Sequence, residues 1–165
     1  MSKIEKSITI DAPVKKVFEY ASNVELMPEW LPGMVEVKDV NRTEEGVGSN
    51  YKWVYKMTGM RFEGETVTEE YVPEKKMVAR SKGGVNSLWT WNFEPHNNGT
   101  KIDLVLDYTV PVPVLGKIAE AIVLKQNIRE ADLALANIKA KMESWLIKNG
   151  KSTSEMKSVK SLPEM

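Results

Sequence analysis

The sequence predicts an α+β fold, in which a curved antiparallel sheet of about seven strands wraps a long C-terminal helix and two short helices follow the first strand. Three observations predict it. From residue 35 to residue 108, apolar and polar side chains alternate with the two-residue period of strands, broken by turn residues. After residue 114 the period becomes helical and holds for about 35 residues. The strands follow one another through short turns, so they pair as an antiparallel meander. A sheet that size with one face to bury must curl around the only long amphipathic element the chain offers.

The elements follow in order. Lys3 to Asp11 alternates, with Ile4, Ile8 and Ile10 on one face and Lys6 as the misfit among them. Pro13 suits the start of a helix, and Val14, Val17, Phe18 and Ala21 recur at helical spacing, giving a short helix from Val14 to Ser22. Val24 to Trp30 reads as a second short helix, punctuated by Pro28, Pro32 and Gly33. Strands follow at Val35–Asn41, Asn50–Met57, Arg61–Tyr71, Met77–Ser81, Ser87–Phe93 and Thr100–Val110, and His96-Asn97-Asn98-Gly99 is a hairpin signal. The helical run spans Val114 to Lys148. Its apolar stripe is Ile118, Ile122, Leu124, Ile128, Ala131, Leu135, Ile138, Met142 and Trp145, with a break or kink expected near Lys125 to Asn127 and a stop at Gly150. Residues 1–150 read as a single domain, and 151–165, rich in Ser, Lys and Glu without periodicity, read as a disordered tail.

Bulk composition excludes several classes of function. The 23 basic and 23 acidic side chains cancel, so no basic surplus points to nucleic acid. The chain has no cysteine, which removes disulfides, thiol nucleophiles and cysteine metal sites. No stretch approaches the ~18 apolar residues of a membrane span, and the N-terminus lacks an apolar signal core. The expectation is a cytoplasmic protein, a monomer or weak dimer, with no stable membrane insertion and no nucleic-acid partner.

The residues that carry chemistry are mainly aromatic. Tyr51, Trp53, Tyr55 and Met57 share one face of a strand; Trp89, Trp91 and Phe93 share another; Leu106 and Tyr108 share a third. Such faces line either a packed core or a cavity, and Tyr and Trp need a polar partner when buried. Ile122 and Ile128 are the facing candidates on the helix. Nine methionines add adaptable, polarisable filling. Met27, Trp30, Leu31 and Met34 are large apolar groups in a proline-stiffened connection, which suits a lid that places Trp30 and Leu31 against a ligand, or a plug for the sheet's open end.

Catalytic signals are thin. His96 is the only histidine and lies in a turn. Glu63, Glu65, Glu69 and Glu70 cluster on one strand, as a solvated or edge-protecting face does. There is no Ser-His-Asp set, phosphate loop or dinucleotide fingerprint, and no metal or cofactor is called for. Arg61, Arg80 and Arg129 are surface residues unless one turns inward, where it would hold an anionic ligand group.

The segments Ile8-Thr-Ile-Asp-Ala-Pro-Val-Lys-Lys-Val-Phe (8 to 18), Met27-Pro-Glu-Trp-Leu-Pro-Gly (27 to 33) and Gly46-Val-Gly-Ser (46 to 49), with the helix after Pro111, resemble the START/SRPBCC superfamily. Within it, the polyketide cyclase/dehydrase and lipid-transport group is most similar. The resemblance spans residues 3 to 148 and implies a helix-grip fold with a cavity between sheet and helix, where relatives place lipids, sterols, quinones, polyketides or plant hormones. It implies binding or transport of a small hydrophobic ligand. Two alternatives stand beside this: a polyketide cyclase or dehydratase, and a protein-interaction, co-chaperone-like member. The lack of an identifiable acid–base pair weighs against an enzyme.

Overall fold

The computed structural model describes residues 2–109 and 117–160, with side chains for 2–109 and 121–149. Strand β1 (Ser2–Ile10) leads into helix α1 (Val14–Ser22), a single 3-10 turn (Val24–Leu26) and the one-turn helix α2 (Met27–Trp30). Six strands follow: β2 (Met34–Asn41), β3 (Asn50–Met57), β4 (Met60–Val72), β5 (Lys76–Gly83), β6 (Asn86–His96) and β7 (Gly99–Thr109). Helix α3 (Lys117–Lys160) closes the described chain.

The strands form one seven-stranded antiparallel sheet in the order β1-β7-β6-β5-β4-β3-β2. The expected meander holds from β2 to β7. The first strand departs from it: β1 pairs with the last strand, Ile4 opposite Leu106 and Ile8 opposite Ile102. The tight turns explain the meander's register. Asn97 and Asn98 between β6 and β7, and Thr58 and Gly59 between β3 and β4, all hold positive φ, as a two-residue hairpin of matching twist requires.

The inner face of the sheet and α3 enclose the core. Ile10, Ile102, Leu104 and Ile138 are almost fully removed from water, and Val17, Phe18 and Ala21 of α1 close one end. The outer face is tied by exposed ion pairs such as Lys52–Asp39, Arg61–Glu63 and Lys76–Glu70, which add little stability but keep the surface hydrated. Lys6, the misfit of β1, is explained by α3: its ammonium lies 3.0 Å from the Asp132 carboxylate. Lys139 Nζ donates to the Thr9 carbonyl at 2.7 Å, and the Asp11 amide donates to Glu143. Long side chains of α3 therefore lie along β1, covering the edge of the sheet that has no further strand beside it.

Helix α3 differs from expectation in three ways. Its ladder is unbroken at Lys125–Asn127, and it runs through Gly150 to Lys160. A single glycine costs a helix only about 1 kcal/mol, less than a stop requires when no capping geometry follows. Backbone over 151–160 is thus helical, while the expected start at Val114 and residues 161–165 lie outside the described residues. The buried stripe keeps Ala131, Leu135, Ile138 and Met142 of the one read in the sequence and departs from it upstream, where the side chain of Ile118 lies outside the described residues. It runs through Val123, Asn127, Ala131, Ala134, Leu135, Ile138 and Met142, whereas Ile122 is 57% exposed. Side chains at Ala131 and Ala134 are small, which lets the helix approach the sheet.

Candidate functional site: an aromatic cavity between sheet and helix

The curl of the sheet leaves space between its inner face and the N-terminal half of α3. The cavity measures ≈ 110 Å³ at the centres of water-sized spheres. Every strand from β3 to β7 contributes through its inward alternation. Tyr51, Trp53, Tyr55 and Met57 come from β3, Thr66 and Thr68 from β4, Met77, Ala79 and Ser81 from β5. Ser87, Trp89 and Trp91 come from β6 and Leu106 and Tyr108 from β7. The helix supplies Asn127, Glu130 and Ala131, and the α1–β2 connection supplies Met27, Trp30, Leu31 and Met34.

Aromatic stacking shapes the walls. Trp89, Trp91 and Phe93 are successive same-face residues of β6 and stack in a row, with centroids 6.1 and 6.2 Å apart. Trp30 meets Trp91 edge-on at 5.7 Å. Trp53 lies flat over Gly64 of β4, where any Cβ would overlap its ring. That approach gives the inward glycine of a charged strand its purpose.

The α2–β2 connection forms a wall bolted in place. Trp30 and Leu31 are each 2% exposed. The Trp30 carbonyl accepts from Asn137 Nδ2 of α3 at 3.1 Å, and the Gly33 carbonyl accepts from the Lys56 amide at 2.8 Å. The Gly33 amide donates to the Glu130 carboxylate. A Cβ at Gly33 would collide with the Tyr55 ring and with Glu130, so glycine alone lets these three groups meet.

Polar groups punctuate the apolar walls. Thr66 and Ser81 share a hydrogen bond across β4 and β5, and Trp89 Nε1 donates to Ser87 Oγ at 3.0 Å. Burial pushes the Tyr51 phenol up to about 12, with the Thr66 contact opposing. Burial also drives Tyr55 up, and the neighbouring Glu130 charge adds to it. Trp30 Nε1, Trp53 Nε1 and the Tyr108 hydroxyl are buried without a hydrogen-bond partner among the described residues. Native interiors leave few such groups.

Of the residues expected at a ligand site, Trp30, Leu31, Tyr51, Trp53, Tyr55, Met57, Trp89, Trp91, Leu106 and Tyr108 line the cavity. Three do not. Phe93 is packed against Phe18 at 5.0 Å, beyond the end of the cavity. Ile122 points outward, because its turn of α3 buries the next residue, Val123, instead. Ile128 is partly buried against a smaller cluster containing Ile4, Leu106 and Tyr108. Asn127 and Glu130 were missed; the available signal was their helical spacing with the buried Val123 and Ala134. None of the three arginines faces inward: Arg61 pairs with Glu63, Arg80 with Glu69, and Arg129 is exposed. His96, expected in the turn, is instead the exposed last residue of β6, paired with Gly99, and no metal-binding cluster occurs among the described residues.

A curved sheet gripping a helix around an aromatic-walled cavity defines the helix-grip class. The chain belongs to the polyketide cyclase/dehydrase and lipid transport family, whose model matches residues 1–143. A Thermus thermophilus protein superposes with a TM-score of 0.76 at 21% identity, covering 87% of this chain and 98% of that one. A START superfamily protein of Mycobacterium smegmatis gives 0.70 at 16%, covering 87% and 98%. The Zhui aromatase/cyclase of a Streptomyces species gives 0.68 at 16%, covering 86% and 93%. At these identities the structures share the fold. An uncharacterised 17.2 kDa protein of Streptomyces lincolnensis is 26% identical over 84 residues, 51% of this chain and about half (52%) of the relative. Among the described residues, no helix is long and apolar enough to cross a membrane.

Proposed function

We propose that this protein binds or carries a small hydrophobic ligand, of lipid-, quinone- or polyketide-like size, in the cavity between sheet and α3. One observation carries the reading: three buried polar groups, Trp30 Nε1, Trp53 Nε1 and Tyr108 OH, lack partners and belong to residues that line an otherwise apolar chamber. Leaving a buried donor unmade costs about 1–3 kcal/mol each. A ligand with oxygen acceptors on an apolar body would satisfy the two indole donors and bury its rings against the stacked tryptophans. On this reading the protein acts as a monomer or weak dimer in the cytoplasm, and without nucleic acid, the last of which its balanced charge supports.

The test is native purification followed by solvent extraction and mass spectrometry of small molecules. The reading expects an apolar compound at near-stoichiometric yield, reduced when Trp53 is replaced by alanine. Extracts free of such a compound, from a protein that also refuses quinones, sterols and fatty acids, would refute it.

A cyclase or dehydratase activity is the second reading, favoured by one feature. Glu130 and Tyr55 place a carboxylate and a phenol side by side at the cavity wall, a pair able to take and return a proton. Turnover of a poly-carbonyl substrate that disappears in Tyr55→Phe would establish it; turnover equal to the buffer rate would exclude it.

A further inference from the structure

The cavity's charge inventory is unusual for a lipid chamber. Among the described lining residues there is no lysine, arginine or histidine, and one ionisable acid, Glu130. Glu130 is held in a built position. The Gly33 amide donates to Oε1, the Tyr55 phenol lies beside the carboxylate, and the absent Cβ of Gly33 makes room for both. None of the ion pairs formed by described residues includes it; Asp132, two positions on, takes Lys6 instead. An amide and a phenol fill only part of a carboxylate's roughly four acceptor sites. With no cation paired to it among the described residues, this carboxylate is open to the positive head of a ligand.

The walls around it suit a cation as well. Trp30, Trp53, Trp89 and Trp91 present indole surfaces, and Tyr51, Tyr55 and Tyr108 add phenol rings. Aromatic faces attract ammonium groups, most strongly when water is excluded. A carboxylate-headed ligand would instead bring a second anion beside Glu130 with no basic group among the described lining residues to receive it.

We infer that the ligand is an amine: a compact aromatic or alicyclic molecule whose protonated nitrogen pairs with Glu130, while its ring body stacks on the tryptophan wall and its oxygens accept from the Trp30 and Trp53 indoles. This deepens the binding function proposed above and rests on it.

A matched series separates the two. 1-Naphthylmethylamine, 1-naphthalenemethanol and 1-naphthoic acid share one body and differ in head-group charge. Each is titrated into the full chain at neutral pH and followed by tryptophan fluorescence. The amine should bind about tenfold more tightly than the alcohol, and the acid most weakly, the scale of one charge-assisted contact. In Glu130→Gln the amine-to-alcohol ratio should fall to near one, and Glu130→Asp should restore part of it. An alcohol or acid that binds as tightly as the amine overturns this inference while leaving apolar binding intact. So does a preference that survives Glu130→Gln. If none of the three binds, the inference fails, and the extraction test above decides separately whether the binding function fails with it. Should Glu130→Gln not fold, the series on the unaltered protein decides alone.

Discussion

Tyr51 and Tyr55 share one face of β3 with Trp53 between them, and burial raises the pKa of both phenols. Unfolding returns them to water, where they ionise near the ordinary phenol value of 10.0. Because the folded values are raised, their contribution to stability is whole below that value and is lost as pH climbs through the folded one. For Tyr51 the window runs from 10.0 to about 12, and the loss across it is about 2–3 kcal/mol. Urea unfolding midpoints measured between about pH 9 and pH 12 should fall steeply, and Tyr51→Phe should flatten the fall. Equal slopes in the two proteins would contradict this. At this scale the sequence was legible where a strand alternates, since period two assigns every β3 and β6 side chain to a face. It was less legible on α3. Reading hydrophobic residues as the inward face selected Ile122, yet the turn that meets the cavity carries Asn127 and Glu130. A polar residue facing a chamber carries no hydropathy signal.

Among the elements, the α2–β2 connection shows how backbone and side chain share one task. Its apolar residues made it a candidate lid, and the structure shows it fastened to α3 through Trp30 and Gly33. Gly33→Ala forces a methyl group into the Tyr55 ring. The expected cost is about 1–3 kcal/mol by overpacking, read as a lower melting temperature together with altered tryptophan emission. An unchanged melting temperature would show that the ring and carboxylate yield freely. The helix–sheet contact makes a larger prediction. Ile138 is fully buried between α3 and the sheet, so Ile138→Ala should cost about 2–5 kcal/mol in denaturant unfolding. A loss below 1 kcal/mol would mean that α3 is not gripped there. The strands and α1 could be read to within about three residues because turn residues and Pro13 mark their ends locally. The β1–β7 pairing could not, since partners some hundred residues apart leave no local mark.

For the whole molecule, the sheet, α1, α2 and α3 form one enclosure whose described packing ends with Met142 and the partly buried Trp145 and Leu146. We propose that residues 1–150 are the ligand-binding unit. A chain ending at residue 150 should keep its melting temperature within a few degrees and its ligand affinity within about twofold. A cooperative loss of structure would place 151–165 in the fold. The central claim is that the space between sheet and helix is a binding chamber and not a packing defect. The most direct test is calorimetric titration with an apolar aromatic ligand, comparing the native chain with Ala79→Trp, which fills the chamber from β5. The account predicts one site per chain with a negative heat-capacity change, abolished in a variant that still unfolds cooperatively. Equal binding by the filled variant, or no binding by the native chain, would contradict it.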